Sequence, residues 1–118
     1  MDANDLKRRT RRFALDAIKL VEALPRGRAA EVLGRQLLRS GTSVGANYRA
    51  ACRAKSPADF ISKMGTVEEE ADESAYWLEL LVDSGLTQKA RVQDLLDEAD
   101  QLVAISVASI RTARRSKR

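Results

Sequence analysis

Several residue types that carry enzyme chemistry are scarce or missing from this chain of 118 residues. Histidine is absent and cysteine occurs once, as Cys52. Without histidine the chain lacks the base of Ser-His and Cys-His nucleophile systems and the commonest side-chain ligand of transition metals. A single cysteine excludes a disulfide within the chain, which agrees with a reducing compartment. We therefore expect no cofactor and no catalytic site of these classes.

Residues that break helices are also rare. The chain contains two prolines and six glycines, and aromatic residues make up 4% of it, whereas 44% is hydrophobic and 32% charged. Because turns between short strands usually need proline or glycine, this composition favours a few long helices in one domain, residues 1–118. No apolar run is long enough to span a membrane, and the charged N-terminal segment leads into no signal-peptide core. The expected location is the cytoplasm.

Apolar residues recur every three or four positions in four segments, which is the period of a helix with one buried face. Ser56 and Pro57 open the third segment, because serine caps helices and proline is tolerated at their first position. Gly85 ends the same segment at a left-handed position. The predicted helices comprise residues 5–24, 28–54, 57–84 and 88–112, followed by a basic tail at 113–118. Short turns force antiparallel neighbours, so the predicted fold is all-α, an antiparallel up-down-up-down four-helix bundle.

Residues 40–47 are unusually small for the middle of a long helix. One interpretation is a glycine-rich loop whose backbone N–H groups bind phosphate. The other is a helical stripe, with Gly41 and Gly45 four residues apart, that lets a neighbouring helix approach closely. The apolar phase continues unbroken from residue 37 to 51 and no strand precedes the stretch, so the pattern favours the helix. Asn47 is then expected to be a buried or interfacial hydrogen-bonding residue.

The antiparallel order brings the N-termini of the first and third helices to the same end as the C-termini of the second and fourth. Most of the 21 Lys and Arg residues fall at this end, which we call the basic pole. Its members are Lys7, Arg8, Arg9, Arg11, Arg12, Arg49, Arg53, Lys55, Lys63, Arg111, Arg114, Arg115, Lys117 and Arg118. Such a surface suits the phosphate backbone of a nucleic acid, because each neutralised phosphate releases counterions. Cationic residues that only maintain solubility are the alternative interpretation.

We predict nucleic-acid contacts for a subset of the basic pole. These residues are Arg8, Arg9, Arg11, Arg12, Arg49, Arg53, Lys55, Arg111, Arg114 and Arg115. Phe13 and Tyr48 are the only aromatic residues that directly adjoin these cations in the sequence. Both fit the core pattern better than a platform for base stacking. The prediction therefore depends on charge and not on stacking.

Acidic residues gather at the waist of the predicted bundle. Glu69, Glu70 and Glu73 lie within little more than one turn of the third helix, and Asp97 and Asp100 lie on the fourth. Carboxylates at such spacings on facing helices can bind Mg²⁺, and all-α nucleoside triphosphate pyrophosphatases use a motif of this kind. Here the second element has Asp where that family has Glu, and no phosphate-binding cluster accompanies it. A solvated acidic face is favoured, and Mg²⁺-dependent nucleotide hydrolysis is the less favoured alternative.

Two runs of the chain resemble a known family. The run from Gln36 to Tyr48 is similar to a segment of the form Q-L-x-R-[SA]-x-x-S-[IV]-x-[AS]-N, and the run from Asp59 to Leu81 is similar to the third helix of the same proteins. The family is the four-helix-bundle family named after proteins encoded in 23S rRNA intervening sequences, and the resemblance covers about residues 10–112.

The resemblance implies a ring-shaped homopentamer, a cytoplasmic bacterial protein without established enzymatic activity, and an RNA-binding role. A related protein, the accessory variability determinant of diversity-generating retroelements, is also a basic pentameric bundle and works with a reverse transcriptase and nucleic acid. Many family members carry an acidic residue shortly after the asparagine, where this chain has Arg49 and Arg53. That replacement strengthens the argument for a basic pole.

Two functions follow from these patterns. The favoured one is a non-enzymatic homo-oligomer that binds RNA or a nucleoprotein partner through the basic pole. The alternative is a structural scaffold, or an accessory protein of a reverse transcriptase, without nucleic-acid specificity of its own. Apolar residues off the main seams would then form contacts between copies. These residues are Leu38, Trp77, Leu80 and Ile105.

Overall fold

A computed structural model of the chain describes residues 1–116. These residues form four helices and no strand, which confirms the predicted all-α four-helix bundle. The helices are α1 (Ala3–Glu22), α2 (Arg28–Ala51), α3 (Pro57–Asp83) and α4 (Lys89–Ser116). Each helix packs against the next in sequence, and α1 and α4 close the bundle through the smallest of the four contacts. The bundle extends 51 Å along its axis and 20 Å across.

None of the helices within residues 1–116 combines the length and the apolar character that crossing a membrane requires.

The first helix begins earlier than the sequence predicts. The carboxylate of Asp2 accepts a hydrogen bond from the N–H of Asp5 at 2.8 Å, and the Asp5 carboxylate accepts one from the N–H of Asp2 at 3.3 Å. This reciprocal capping box satisfies two N–H groups that the helix leaves without partners. The backbone hydrogen bond from Asp2 is the main cause that lowers the pKa of Asp5. The helix therefore starts at Ala3 and not at residue 5.

The predicted C-terminal ends of α1 and α2 extend too far. Helix α1 ends at Glu22 instead of residue 24, and the N–H of Leu24 bonds to the carbonyl three residues before it. Helix α2 ends at Ala51 instead of residue 54, and the N–H groups of Arg53 and Ala54 make the same tighter type of bond. A last turn with bonds over three residues is common where an α-helix unwinds, and apolar periodicity does not show it.

The turn into α3 follows the predicted chemistry. The Ser56 hydroxyl accepts from the N–H of Asp59 at 3.1 Å, and Pro57 occupies the first helical position. The Asp59 carboxylate accepts from Lys63 Nζ at 2.7 Å and from the N–H of Lys55 at 3.1 Å. These bonds, that from Lys63 first, lower the pKa of Asp59.

The fourth helix is longer than predicted at its C-terminus. Gly85 has φ +80° in the turn after α3, as its left-handed position requires, and α4 then starts at Lys89. Helix α4 continues to Ser116, so the expected basic tail from residue 113 is helical as far as that residue. Alanine and arginine favour helices, and Arg114 and Arg115 complement the negative end of the helix dipole. The remaining predicted tail residues, Lys117 and Arg118, lie outside the described residues.

The buried face of each helix forms one continuous core. Its largest fully buried side chains are Phe13, Leu37, Met64, Leu78, Leu81 and Leu102. Four buried hydroxyls, those of Thr10, Ser40, Ser74 and Ser106, lie among the apolar side chains, and Ser74 Oγ donates to Ser40 Oγ at 2.8 Å across the contact between α2 and α3. Each of the two hydroxyls also lies within hydrogen-bond distance of a backbone carbonyl on its own helix, that of Leu37 for Ser40 and that of Glu70 for Ser74.

Helix α2 passes through residues 40–47 without interruption and packs closely on α1. A methyl group placed at Gly45 would lie 3.2 Å from Thr10 Oγ1 and 3.5 Å from the Thr10 carbonyl carbon. A methyl group at Gly41 would lie 3.2 Å from Ala17 Cβ. A methyl group at either glycine would therefore be tight against α1, and a larger side chain would force the two helices apart.

We expect Gly45→Leu to lower the free energy of unfolding by about 1–3 kcal/mol, because overpacking forces the two helix backbones apart. Denaturant unfolding followed by circular dichroism measures this change. The matched control is Gly65→Leu on α3, where an added methyl would meet no atom within 4 Å. The control should keep or raise the stability, since glycine inside a helix costs about 0.5–1 kcal/mol. Equal stabilities of the two variants would contradict the close-packing account.

Candidate nucleic-acid interface

All four helices contribute an end to the basic pole. A cavity of about 600 Å³ at this end is lined by residues of every helix, among them Ala3, Tyr48, Phe60 and Ala113. The four helix ends that carry the described cations therefore meet at one end of the bundle, as the antiparallel order predicts. Of the predicted members, Lys117 and Arg118 lie outside the described residues.

Some cations of the basic pole are already neutralised. Arg8 pairs with Asp5, Arg12 Nε lies 3.4 Å from Asp16, and Lys63 pairs with Asp59. These pairs join residues three or four apart on one helix, where ion pairs contribute about 0.3–0.5 kcal/mol. No salt bridge among residues 1–116 involves the others, which are Lys7, Arg11, Arg49, Arg53, Lys55, Arg111, Arg114 and Arg115. The basic pole thus retains a large uncompensated positive charge.

Arg9 differs from the other predicted contacts because it joins two helices. Its Nε and one terminal nitrogen donate to the Glu98 carboxylate on α4 at 2.9 and 2.5 Å, and the same terminal nitrogen donates to Gln101 at 2.8 Å. The hydrogen bonds that Arg9 donates to the Glu98 carboxylate raise the pKa of Arg9. This geometry holds α1 against α4, where the bundle has its smallest helix contact. The structure thus gives Arg9 a role in packing.

A groove between α1 and α2 brings several of the remaining cations together. It has a volume of about 420 Å³. We call it the cationic groove, and its lining residues are Lys7, Arg8, Thr10, Arg11, Ala14, Thr42, Gly45, Ala46 and Arg49. Four of these side chains are cationic and none is anionic. Cations from two helices converge here on one concave surface.

Small residues form the floor of the cationic groove. Gly45 lies against Thr10, and Ala14 and Ala46 complete a surface without charge. Thr10 is only 1% exposed and its hydroxyl donates to the Lys7 carbonyl, while the Thr42 hydroxyl donates to the Leu38 carbonyl at 2.7 Å. Both hydroxyls therefore donate to backbone carbonyls of their own helices.

The sequence prediction did not include Thr10, Ala14, Thr42 or Ala46 in a site. One signal was present for Thr10. It occupies an apolar position of the α1 pattern, between Leu6 and Phe13, and so faces the neighbouring helix. A threonine at this position, packed against a glycine of the next helix, indicates that the small side chains leave a groove above the helix contact.

The aromatic residues near the basic pole belong to the core. Phe13 is 1% exposed and Tyr48 is 7% exposed, so neither offers a ring face for base stacking. Burial, and after it a hydrogen bond with Cys52, raise the pKa of Tyr48. Tyr48 is therefore neutral at physiological pH and adds no negative charge to the basic pole.

The acidic residues at the waist do not converge on a cation site. Arg39 on α2 pairs with Glu70 at 3.2 Å and also with Glu73. Asp97 accepts a hydrogen bond from Gln93 on its own helix. Within residues 1–116 no group of three or more His, Cys, Asp or Glu side chains could hold a metal ion. The set considered as the less favoured alternative, Glu69, Glu70, Glu73, Asp97 and Asp100, is therefore not assembled as a metal centre within residues 1–116.

The other predicted interface residues are half-buried. Asn47 Nδ2 donates to the Ser43 carbonyl at 2.8 Å within α2. Trp77 Nε1 donates to Glu73 at 3.3 Å, and its ring lies 5.1 Å from that of Tyr76. The predicted off-seam residues Leu38, Leu80 and Ile105 are also partly covered within the single chain. The structure therefore packs part of each side chain inside the bundle.

Comparison with known proteins places the chain in a family. The model of the 23S rRNA-intervening sequence protein family matches residues 3–108. The chain belongs to this family. A similar solved structure is that of a protein of unknown function from the S23 ribosomal protein family of Bacteroides thetaiotaomicron VPI-5482. The two chains are 33% identical, the match covers 94% of this chain and 99% of the other, and the TM-score is 0.86. No curated protein matches the chain.

Family membership confirms the resemblance found in the sequence, and it supports a bundle of this size and connectivity. The family and the structural neighbour carry no description of an enzymatic activity. Neither name assigns a biochemical role to this family member.

We expect Arg9→Ala to lower the free energy of unfolding by about 1–2 kcal/mol, because it removes a charged donor from Glu98 and opens the contact between α1 and α4. Thermal unfolding in low and high salt measures the loss. Arg12→Ala is the matched control, since it also removes an arginine from α1. The Arg12 side chain is 74% exposed. We expect the control to cost less than about 0.5 kcal/mol. A similar loss in both variants would rule out the packing role of Arg9.

Proposed function

We propose that this family member is a non-enzymatic protein that binds RNA through its basic pole. The observation that carries the proposal is the convergence of cations from all four helices at one end, most of them without a salt bridge among residues 1–116. Phosphate contacts supply most of the sequence-independent affinity for nucleic acid, and they need this kind of uncompensated charge.

The charge distribution within the bundle supports the same proposal. At the waist, Glu70 and Glu73 are engaged by Arg39, and Asp97 is engaged by Gln93 on its own helix, so these three carboxylates do not neutralise the basic pole. The family takes its name from sequences that lie in 23S rRNA, and the solved neighbour is assigned to a ribosomal protein family. These names are consistent with an RNA ligand and a cytoplasmic location.

A homo-oligomeric scaffold is the second candidate function, and an exposed apolar surface favours it. Leu15 and Ile18 lie three residues apart on α1 and are 43% and 37% exposed, and Val32 on α2 is 48% exposed. Exposed apolar side chains one helical turn apart, as Leu15 and Ile18 are, suit a contact between copies. The resemblance in the sequence implies a pentameric ring, which stays a prediction. Assembly and RNA binding are compatible, because a ring would multiply the number of basic poles.

We expect fluorescently labelled RNA to bind the protein with an affinity that falls steeply as salt rises. The double variant Arg53→Gln/Arg114→Gln should weaken binding at all salt concentrations and reduce the salt slope by about 0.7–1 for each lost contact. Fluorescence anisotropy titrations measure both quantities. The matched control is Arg26→Gln/Arg91→Gln, which removes two exposed arginines from the opposite end of the bundle. If both double variants lose the same affinity, only net charge matters and the proposal fails.

Light scattering should give the unaltered protein a mass that is a multiple of the 13.0 kDa chain. The variant Leu15→Gln/Ile18→Gln should shift this mass toward a single chain, because it removes apolar area from the proposed contact. Circular dichroism verifies that the variant stays helical. A strict monomer at all protein concentrations would reject the ring and the scaffold.

A further inference from the structure

The cationic groove has charged walls on two sides. Lys7 and Arg11 stand one helical turn apart on α1, about 6 Å along the axis at 1.5 Å per residue, and Arg49 stands on α2. That separation is close to the distance between consecutive phosphates of an extended nucleic-acid strand. Two cations on one wall and a third on the other can therefore contact successive phosphates of a strand that runs along the groove.

The packing of α1 on α2 makes this groove narrow. Helices in contact lie about 8–10 Å apart between axes. The absence of side chains at Gly41 and Gly45 allows this contact, because added methyl groups would come within 3.2 Å of Ala17 and Thr10. The groove volume of about 420 Å³ lies in the range of sites for small ligands, roughly 300–1,000 Å³. One strand fits between such walls, whereas a duplex with two backbones rests on the rims.

The floor accepts the uncharged part of a strand. Ala14, Gly45 and Ala46 present small apolar surfaces between the cationic walls, and no carboxylate lines the groove. The nearest acidic residues in sequence, Asp5 and Asp16, are engaged by Arg8 and Arg12. The groove also lacks an aromatic side chain, so it offers phosphate contacts without base stacking and should bind strands with little sequence preference.

We propose that the cationic groove between α1 and α2 binds one strand of single-stranded RNA and excludes the duplex. This inference rests on the proposed RNA-binding function and adds the form of the ligand and the place where it binds. The three cations of the groove without a salt bridge, Lys7, Arg11 and Arg49, imply a salt slope of about −2 for single-stranded RNA, at about −0.7 for each neutralised phosphate.

An oligouridylate and a blunt-ended RNA duplex of equal length provide the test, each titrated by fluorescence anisotropy at several salt concentrations. The variant Ala46→Gln places an uncharged side chain in the groove at an exposed position. It should weaken oligouridylate binding by about tenfold, because the strand loses contact with both walls, and leave duplex binding unchanged. The matched control Ala104→Gln makes the same change at an exposed position of α4 and should bind both RNAs like the unaltered protein.

A second variant, Arg11→Gln/Arg49→Gln, tests the walls. It should reduce the salt slope for oligouridylate by about 1.4, which corresponds to two lost phosphate contacts. Equal affinity for strand and duplex, or no effect of Ala46→Gln, would overturn the inference. If in either case binding still depended on Arg53 and Arg114, the proposed function would survive without the groove. If the unaltered protein bound neither the oligouridylate nor the duplex at any salt concentration, both proposals would be rejected.

Discussion

The contact between α1 and α2 is the constraint on which the rest of the molecule depends. Glycine at positions 41 and 45 removes the side chains that would separate the two helices, and Thr10 and Ala17 occupy the opposite surface. The same small residues that allow this packing form the floor of the cationic groove. A larger side chain there would therefore change the helix spacing and the proposed binding surface together.

The positive charge at the end of the bundle serves two physical purposes. Arg9 is held by Glu98 and Gln101 and joins the two helices that contact each other least. Arg11 and Arg49 have no such partner within residues 1–116 and line a groove. A charge inside a hydrogen-bonded pair contributes to folding, whereas an exposed charge without a partner is available to attract a phosphate. Position along the helix does not distinguish these cases, but the orientation of each side chain does.

The sequence predicted the fold class and the order of the helices, because apolar periodicity and capping residues act locally. Ser56 with Pro57, and Gly85, marked two turns for this reason. The ends of α1 and α2 depend on competition between hydrogen bonds over three and four residues, which composition does not encode. The partner of Arg9 lies 89 residues further along the chain, so its role could be seen only once α1 and α4 were placed side by side. The sequence analysis did not predict the groove, because its floor consists of small residues, Ala14, Gly45 and Ala46, whose side chains are neither charged nor reactive.

Trp77 can report on the contact between α2 and α3 through its fluorescence, because it shares the Glu73 carboxylate with Arg39. Trp77 is the only tryptophan in the chain, and its indole N–H donates to the carboxylate that Arg39 binds from α2. Separation of α2 from α3 would expose that indole to water and change its emission. The fluorophore lies at the waist, away from the residues that line the cationic groove. Its intrinsic fluorescence can thus follow the opening of the bundle while a labelled oligonucleotide follows occupancy of the groove.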